Sequence, residues 1–385
     1  MTLKKTLMAG AAGAALFAIA SPVATTADAG SLKSGNSNAD VKIYGQVGRG
    51  ILFYSDGEQS DWISADADNS SSRFGFNASA KITDSVTISA VLEQEMESNS
   101  PNSINQASDT DVGGSFTQRK AELSFKSKSF GRFTMGQTSV ISDGMSDGLD
   151  LGGASIAFAG MDPSLSAGGL SFRNDNTAAK LSTKTVRGSF GTLDGGRADA
   201  IQYETPSMGG VRVQLGISSA GKEPGIGLLY DGKHGSMKVR VRGFWENANG
   251  SGTDQDRWQL GASVKHDSGI SLTALYGNED QRVNANGTNV DQYRDDWHVY
   301  AVRLGYTANM NSLGPTAVGL DYRYSEGKAA DGDEGTAFGF GVSQNIKKAG
   351  ADLFANMMVW ELERQAPSAE LDKLVTVFVG GRLKF

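Results

Sequence analysis

The sequence predicts an all-β fold, a transmembrane antiparallel β-barrel of about sixteen strands with one long loop folded into it. Three observations carry this. Apolar residues recur at every second position in segments spread along the chain. The connections between those segments alternate between tight and long. The hydrophobic fraction, 39% over 385 residues, is low for a bundle of spanning helices. Each such helix needs about 20 consecutive apolar residues, whereas only every second residue of a barrel strand meets lipid.

The N-terminus reads as an export signal. Lys4 and Lys5 form a positive start, residues 7–20 an apolar stretch, and Ala27-Asp28-Ala29 a small-residue cleavage site before Gly30. Ala18-Ile19-Ala20 is the competing site. A membrane anchor is the alternative, but the stretch is short and Ser21-Pro22 ends it. Residues 1–29 are therefore expected to be a signal peptide and 30–385 the barrel. Removing 1–29 takes away Lys4, Lys5 and Asp28, which moves the formal charge from −7 to −8. An acidic exported chain is no nucleic-acid binder by composition.

The first strand spans residues 41–54. Val41, Ile43, Val47, Ile51 and Phe53 share one face, and Lys42, Tyr44 and Gln46 the other. A hairpin follows, pairing 73–82 with 86–95 across Thr83-Asp84-Ser85. Later strands repeat the pattern. Met237, Val239 and Val241 alternate with Lys238, Arg240 and Arg242; Tyr300, Val302 and Leu304 with Ala301 and Arg303; Val318, Leu320 and Tyr322 with Gly319, Asp321 and Arg323. Tight turns fall at 83–85, 128–131, 206–210, 232–235, 267–269 and 347–350. Long acidic connections fall at 55–72, 97–114, 247–256, 278–295, 326–334 and 363–372. Short turns at one end and long loops at the other is the layout of an outer-membrane barrel. Closure follows from physics, because in lipid every backbone N–H and C=O must be paired within the protein. A soluble sandwich also alternates, but it buries its second sheet face, and here the opposite face carries Arg, Lys and Asp.

The longest connection runs from Ser139 to about Thr185. It holds Asp143, Asp147, Asp150 and Asp162, together with apolar pieces at Ile156-Ala157-Phe158-Ala159 and Leu165. A purely extracellular loop has no need of that apolar content, whereas a loop folded inward must pack on the wall. A long surface loop with scattered acids is the bland alternative. Opposite it, the lumenal strand faces carry Lys42, Lys238, Arg240, Arg242, Arg303, Arg323 and Arg382. Loop acids facing wall bases would set a transverse field across a narrow aqueous passage, although most of these bases are expected to be simply solvated. Arg73 and Arg119 lie near the long-loop ends of their strands. The phase of Arg119 is ambiguous, because it shares parity with the apolar Ala121, Leu123 and Phe125. Tyr44, Tyr54, Trp62, Trp297, Tyr306, Tyr324, Trp360 and Phe385 are candidates for interfacial aromatic girdles.

Catalytic motifs fail. The chain has no Cys, so thiol catalysis, thiolate metal sites and disulfides are excluded. His234, His266 and His298 are too dispersed to centre a metal or catalytic site. The acidic turns 66–69 and 331–334 lack the full spacing of a Ca²⁺ loop. Neither a cofactor nor a resident metal is expected, and no enzyme activity.

Taken together, Val41-Lys42-Ile43-Tyr44-Gly45-Gln46-Val47, Ser72-Arg73-Phe74-Gly75-Phe76, Leu92-Glu93-Gln94-Glu95, Phe130-Gly131-Arg132-Phe133-Thr134-Met135-Gly136-Gln137 and Gln202-Tyr203-Glu204-Thr205-Pro206 resemble the Gram-negative general porins, in this order and over essentially the mature length. The resemblance implies a sixteen-stranded barrel in the outer membrane, in contact with its lipid and lipopolysaccharide. It also implies a homotrimer that passes ions and small hydrophilic solutes passively. It places Asp143, Asp147 or Asp150 of the third long loop against Arg73 and Arg119 at a constriction. The charged run Lys120-Ala121-Glu122-Leu123 departs from the family pattern, which puts the Arg119 assignment in question. A solute-selective channel and a structural or adhesive surface barrel are the competing functions. In the last strand Val375, Val377, Val379, Gly381, Leu383 and Phe385 share a face, with Thr376, Arg382 and Lys384 opposite. This strand is expected to close the barrel against 41–54. Its terminal Phe385 resembles the signal read by the barrel-assembly machinery.

Overall fold

The computed structural model describes residues 31–33, 35, 38–174, 181–218, 223–247, 256–280, 282–284, 291–293, 296–365 and 370–385. The expected signal peptide and parts of several expected long loops lie outside these residues. Among the described residues no helix is long and apolar enough to cross a membrane.

Sixteen antiparallel strands close into a barrel. The first is β1 (Asp40–Ser55). The second, β2, is split into Ser60–Asp66 and Arg73–Thr83. They are followed by β3 (Val86–Glu97), β4 (Ser115–Ser127), β5 (Gly131–Ser139), β6 (Arg197–Glu204), β7 (Val211–Ser218) and β8 (Pro224–His234). The second half comprises β9 (Met237–Asn247), β10 (Asp256–His266), β11 (Ile270–Glu279), β12 (Trp297–Asn311), β13 (Gly314–Glu326), β14 (Glu334–Ile346), β15 (Ala351–Glu363) and β16 (Leu374–Lys384). Each strand pairs with its sequence neighbours, so the order is a simple meander.

The last strand closes on the first as expected, from Gln46 opposite Lys384 to Ser55 opposite Val375. The Gly45 N–H donates to the Phe385 carbonyl at 2.8 Å, and the Phe385 N–H donates back at 3.0 Å. Gly45 is required there for space: a Cβ on it would lie 2.6 Å from the Phe385 ring. Ser31–Lys33 pairs with Asp40–Lys42, continuing the line of β16 past its end.

Outward faces are apolar and exposed, as at Leu215, Ile226, Leu260, Leu304, Leu320 and Phe338. Trp258, Tyr276, Tyr300 and Tyr324 stand side by side on neighbouring strands, with ring centroids 5.1, 4.6 and 6.0 Å apart in succession. They form an aromatic row near the long-loop ends. Of the girdle candidates, Trp62, Tyr306, Tyr324 and Phe385 are not buried. Tyr44, Tyr54, Trp297 and Trp360 are not girdle residues, because they occupy inward positions. Tyr44 bonds Glu93 at 2.9 Å, Trp297 Nε1 bonds Ser325 at 3.0 Å, and Trp360 is wholly buried.

Two expected boundaries move. The segment 55–72 is not one loop, because Ser60–Asp66 pairs with the upper half of β1 and Arg73–Ser79 with its lower half. Residues 67–72 step out of the ladder between them, and Gln46 Nε2 satisfies the Ser70 and Ser71 carbonyls at 2.8 Å. Alternation could not reveal a strand interrupted in this way. The long loop also continues past Thr185, through the turn Val186–Ser189, and ends only at Arg197.

The core sits inside the barrel, between this loop and the wall. Loop residues Phe158, Phe172, Val186 and Phe190 bury against Leu52, Phe354, Trp360 and Phe378 of the strands. A second cluster joins loop residues Ile141, Met145, Leu149 and Leu193 to Leu229, Phe244 and Leu275. Burying one such side chain contributes about 1.5–3 kcal/mol, so the loop is an integral part of the fold.

Candidate functional site

The loop 140–196 is held inside the barrel by buried ionic anchors as well as apolar packing. Arg303 on β12 donates to Asp321 at 2.7 and 3.0 Å, to Asp150 at 3.2 Å and to the Gly160 carbonyl at 2.5 Å. Its guanidinium also lies 4.4 Å from the centre of the Phe158 ring. Arg323 on β13 donates to the Met161 carbonyl, and sits 3.4 Å from Asp321 and 4.0 Å from Asp162. Both arginines are 1% exposed. They point inward, but the expectation that they line an open lumen wall is corrected, since the loop covers them. Removing one member of a buried pair strands its partner and costs about 3–5 kcal/mol.

Asp150 is likewise corrected. Its carboxylate faces the wall, where it accepts bonds from Thr273 Oγ1 at 3.0 Å and the Gly152 N–H at 2.7 Å, and it takes no part in the cavity described next.

Opposite these anchors the loop leaves a cavity of about 370 Å³ against the wall. Arg73 from β2, Arg119 from β4 and Arg197 from β6 line it beside the wall acids Glu95 and Glu97, and the loop contributes Asp143, Asp147, Asp162 and Asp194 together with Arg187. Four of the five residues expected at a constriction thus meet in one space. Arg119 reaches it because β4 carries a bulge. The register shifts between Glu93 and Gln94, which pair with Lys120 and Gln118 and leave Arg119 between them. The extra residue turns Arg119 inward, where it bonds Glu93 and Glu95, each at 2.8 Å, and Ser71 at 3.1 Å. Arg73 lies 3.8 Å from Glu93, and Asp143 lies 3.2 Å from Arg197.

The loop acids are crowded. Asp194 accepts the Ser146 N–H at 2.9 Å and its hydroxyl at 2.8 Å. Burial pushes the Asp194 carboxyl up to about 7, against those bonds and with help from nearby Asp143. Asp147 is open to the lumen, yet enclosure within the barrel, then the Asp194, Asp162 and Asp143 carboxylates, raises its carboxyl above the ordinary range. Burial opposes ionisation of Asp162 too, but the Arg187 and Arg323 guanidiniums outweigh it and hold that carboxyl below its usual value.

The remaining wall bases spread over the other inward faces. Lys42 and Lys238 are exposed near the tight-turn end. Arg240 and Arg242 bond Asp231, each at 2.7 Å, and Arg382 bonds Asp352 at 2.6 Å. Asp194, Arg187 and Arg197 went unread in the sequence because the loop was ended at Thr185. Among the described residues no group of His, Asp and Glu is placed to hold a metal ion. In the acidic turns, Asp66 and Asp68 accept bonds from residues 98–102, and Asp333 from Arg364 and Gln365.

A sixteen-stranded barrel with an inward-folded loop and charged residues of both signs along its lumen defines a membrane channel. A family model described as Gram-negative porin matches residues 9–359, and the chain belongs to that family. It is an outer-membrane porin, a channel for small solutes. Solved structures agree on the fold. An anion-selective porin from Comamonas acidovorans superimposes with a TM-score of 0.60 at 18% identity, covering 90% of this chain and 100% of that one. OmpT, an outer membrane protein of Vibrio cholerae, gives 0.56 at 15% identity, covering 92% and 99%. OmpF of Salmonella typhi, solved with daunomycin, gives 0.54 at 14%, covering 90% and 98%. No curated protein matches the chain. Family and fold point to a channel rather than an enzyme.

Proposed function

We propose that this porin passes ions and small hydrophilic solutes by passive diffusion, through a constriction at which Asp143, Asp147 and Asp194 face Arg73, Arg119 and Arg197. The observation that carries this is their meeting across one cavity of about 370 Å³. Charged groups of both signs crowded around a narrow aqueous passage orient dipolar solutes and select ions. Purified protein in a planar bilayer is expected to give stepwise conductance. The variants R73Q and R119Q are expected to shift the reversal potential in a KCl gradient towards cations. A silent folded barrel, or unchanged selectivity in both variants, overturns the reading.

The assembled form is a homotrimer in contact with outer-membrane lipid and lipopolysaccharide, and residues 1–29 are its cleaved signal peptide. Support for the trimer comes from the outer surface, where β1 to β6 present Arg49, Gln94, Gln118, Gln137 and Asp199 among apolar residues, a poor surface for lipid. Phe385 is the mark recognised by the barrel-assembly machinery. Its deletion lowers the yield of folded barrel without changing the conductance of pores that do form, and normal yield would sink that role.

A further inference from the structure

Away from the constriction, the inward face of β7 to β9 gathers three arginines around one carboxylate. Asp231 on β8 accepts a bond from Arg240 Nε on one oxygen and from Arg242 on the other, each at 2.7 Å, and the second oxygen lies 3.5 Å from Arg212. The Asp231 side chain is 41% exposed, so the carboxylate opens to the lumen. None of the three arginines lines the cavity at Arg73 and Arg119. They come from strands on either side of β8, and each turns one nitrogen towards the same carboxylate.

Guanidinium nitrogens arranged in this way suit a small oxyanion, which accepts a charge-assisted N–H bond from each arginine. Asp231 occupies that position from within the chain. The surroundings add positive charge. Lys238 stands directly opposite Lys265 across one ladder and opposite Lys233 across the other. Like charges facing each other across strands are destabilising, and two acids give partial balance, Glu204 at 3.2 Å from Arg212 and Asp267 at 3.4 Å from Lys233. A structural wall gains nothing from facing lysines, whereas an anion-collecting surface does. Arg240 also donates to the Gly148 carbonyl at 2.7 Å, which ties the cluster to the constriction loop.

We propose that Arg212, Arg240 and Arg242 form a binding site for small oxyanions, phosphate or phosphate-bearing solutes, on the lumen wall, with Asp231 as an internal competitor for the same guanidiniums. The proposal goes beyond passive diffusion, because a diffusion channel needs no saturable site.

Inorganic phosphate titrated against the KCl current of the full-length protein in planar bilayers tests it. Saturable reduction of the current is expected. The double variant R240Q/R242Q should weaken the apparent affinity by about tenfold or more, and D231N, which removes the competitor, should strengthen it severalfold. D231N changes the response in the opposite direction to arginine loss, so a general folding defect cannot mimic the pair of results. Heat-modifiable migration and KCl conductance of each variant establish that it is folded. A wild-type current indifferent to phosphate, or an identical phosphate response in R240Q/R242Q, overturns the site. Either result leaves the porin reading intact, since that rests on conduction itself.

Discussion

At the scale of single residues, the charge at the proposed constriction is set by crowding. Asp147 and Asp194 lie close in the loop, and the second oxygen of Asp194 lies 3.4 Å from the Asp147 N–H. With the Asp194 carboxyl at about 7 and Asp147 well above the ordinary range, the pair holds protons that isolated aspartates lose near pH 4. The sign follows. Below the raised values Asp147 and Asp194 are neutral, the cavity loses their negative charge, and the preference is expected to lean towards anions. As the pH rises through about 7 the loop gains negative charge and the preference moves towards cations. The folded state keeps these protons longer than the unfolded chain, so ionising the pair also lowers stability as the pH rises from about 4. Reversal potentials measured between pH 5 and 8.5 are expected to show the shift, and D194N to flatten it. A flat wild-type profile refutes the coupling. Sequence reading reached only part of this site. Alternation gives the side of a strand, and Arg119 has the wrong parity until a bulge re-phases it. Asp194 and Arg197 carry no local motif; their importance comes from where the loop returns to the wall.

At the scale of elements, the loop is a core segment more than a flexible connection, and strand glycines form its sockets. A Cβ at Gly341 on β14 would sit 2.5 Å from the Phe158 ring, and one at Gly335 would sit 2.8 Å from Phe190. Apolar content in the loop made inward folding legible from sequence. The sockets were not, because a glycine on a lumenal face looks the same whether it makes room for a ring or only eases twist. Replacing Gly341 by valine is expected to expel Phe158 and loosen the loop. Phe158→Ala, leaving a cavity instead, should cost about 3–5 kcal/mol at the same contact. Both variants should show larger and noisier single-channel conductance and faster proteolysis within 140–196, with barrel formation retained on gels. Conductance steps and cleavage rates unchanged from wild type would mean that the packing does not set the aperture.

At the scale of the whole molecule, the outer surface is two surfaces. From β7 round to β14 it is apolar through the middle of the strands, as at Ile217, Leu228, Trp245, Leu272, Tyr322 and Phe340, all exposed, with His234, His266 and His298 near strand ends. From β1 to β6 the same face carries charge and amide groups. The Arg49 side chain, 42% exposed, pairs with Asp66 and bonds Ser98 at 2.7 Å, while Gln94 and Gln118 face each other across neighbouring strands. An arginine on the lipid face near mid-membrane costs about 2–4 kcal/mol, so a sector of this kind is stable only when protein covers it. Three barrels meeting along β1 to β6 would cover it and leave the aromatic row of β10 to β13 to the lipid. Leu92, 58% exposed on β3, and Leu304, 51% exposed on β12, are matched in exposure and lie in the two different sectors. Leu92→Arg is expected to dissociate the proposed trimer into folded monomers on unheated gels. Leu304→Arg is expected to slow membrane insertion while leaving assembled protein trimeric. If Leu92→Arg stays trimeric, or the wild-type protein is monomeric, the polar sector needs another cover, and the division of the surface does not reflect self-assembly.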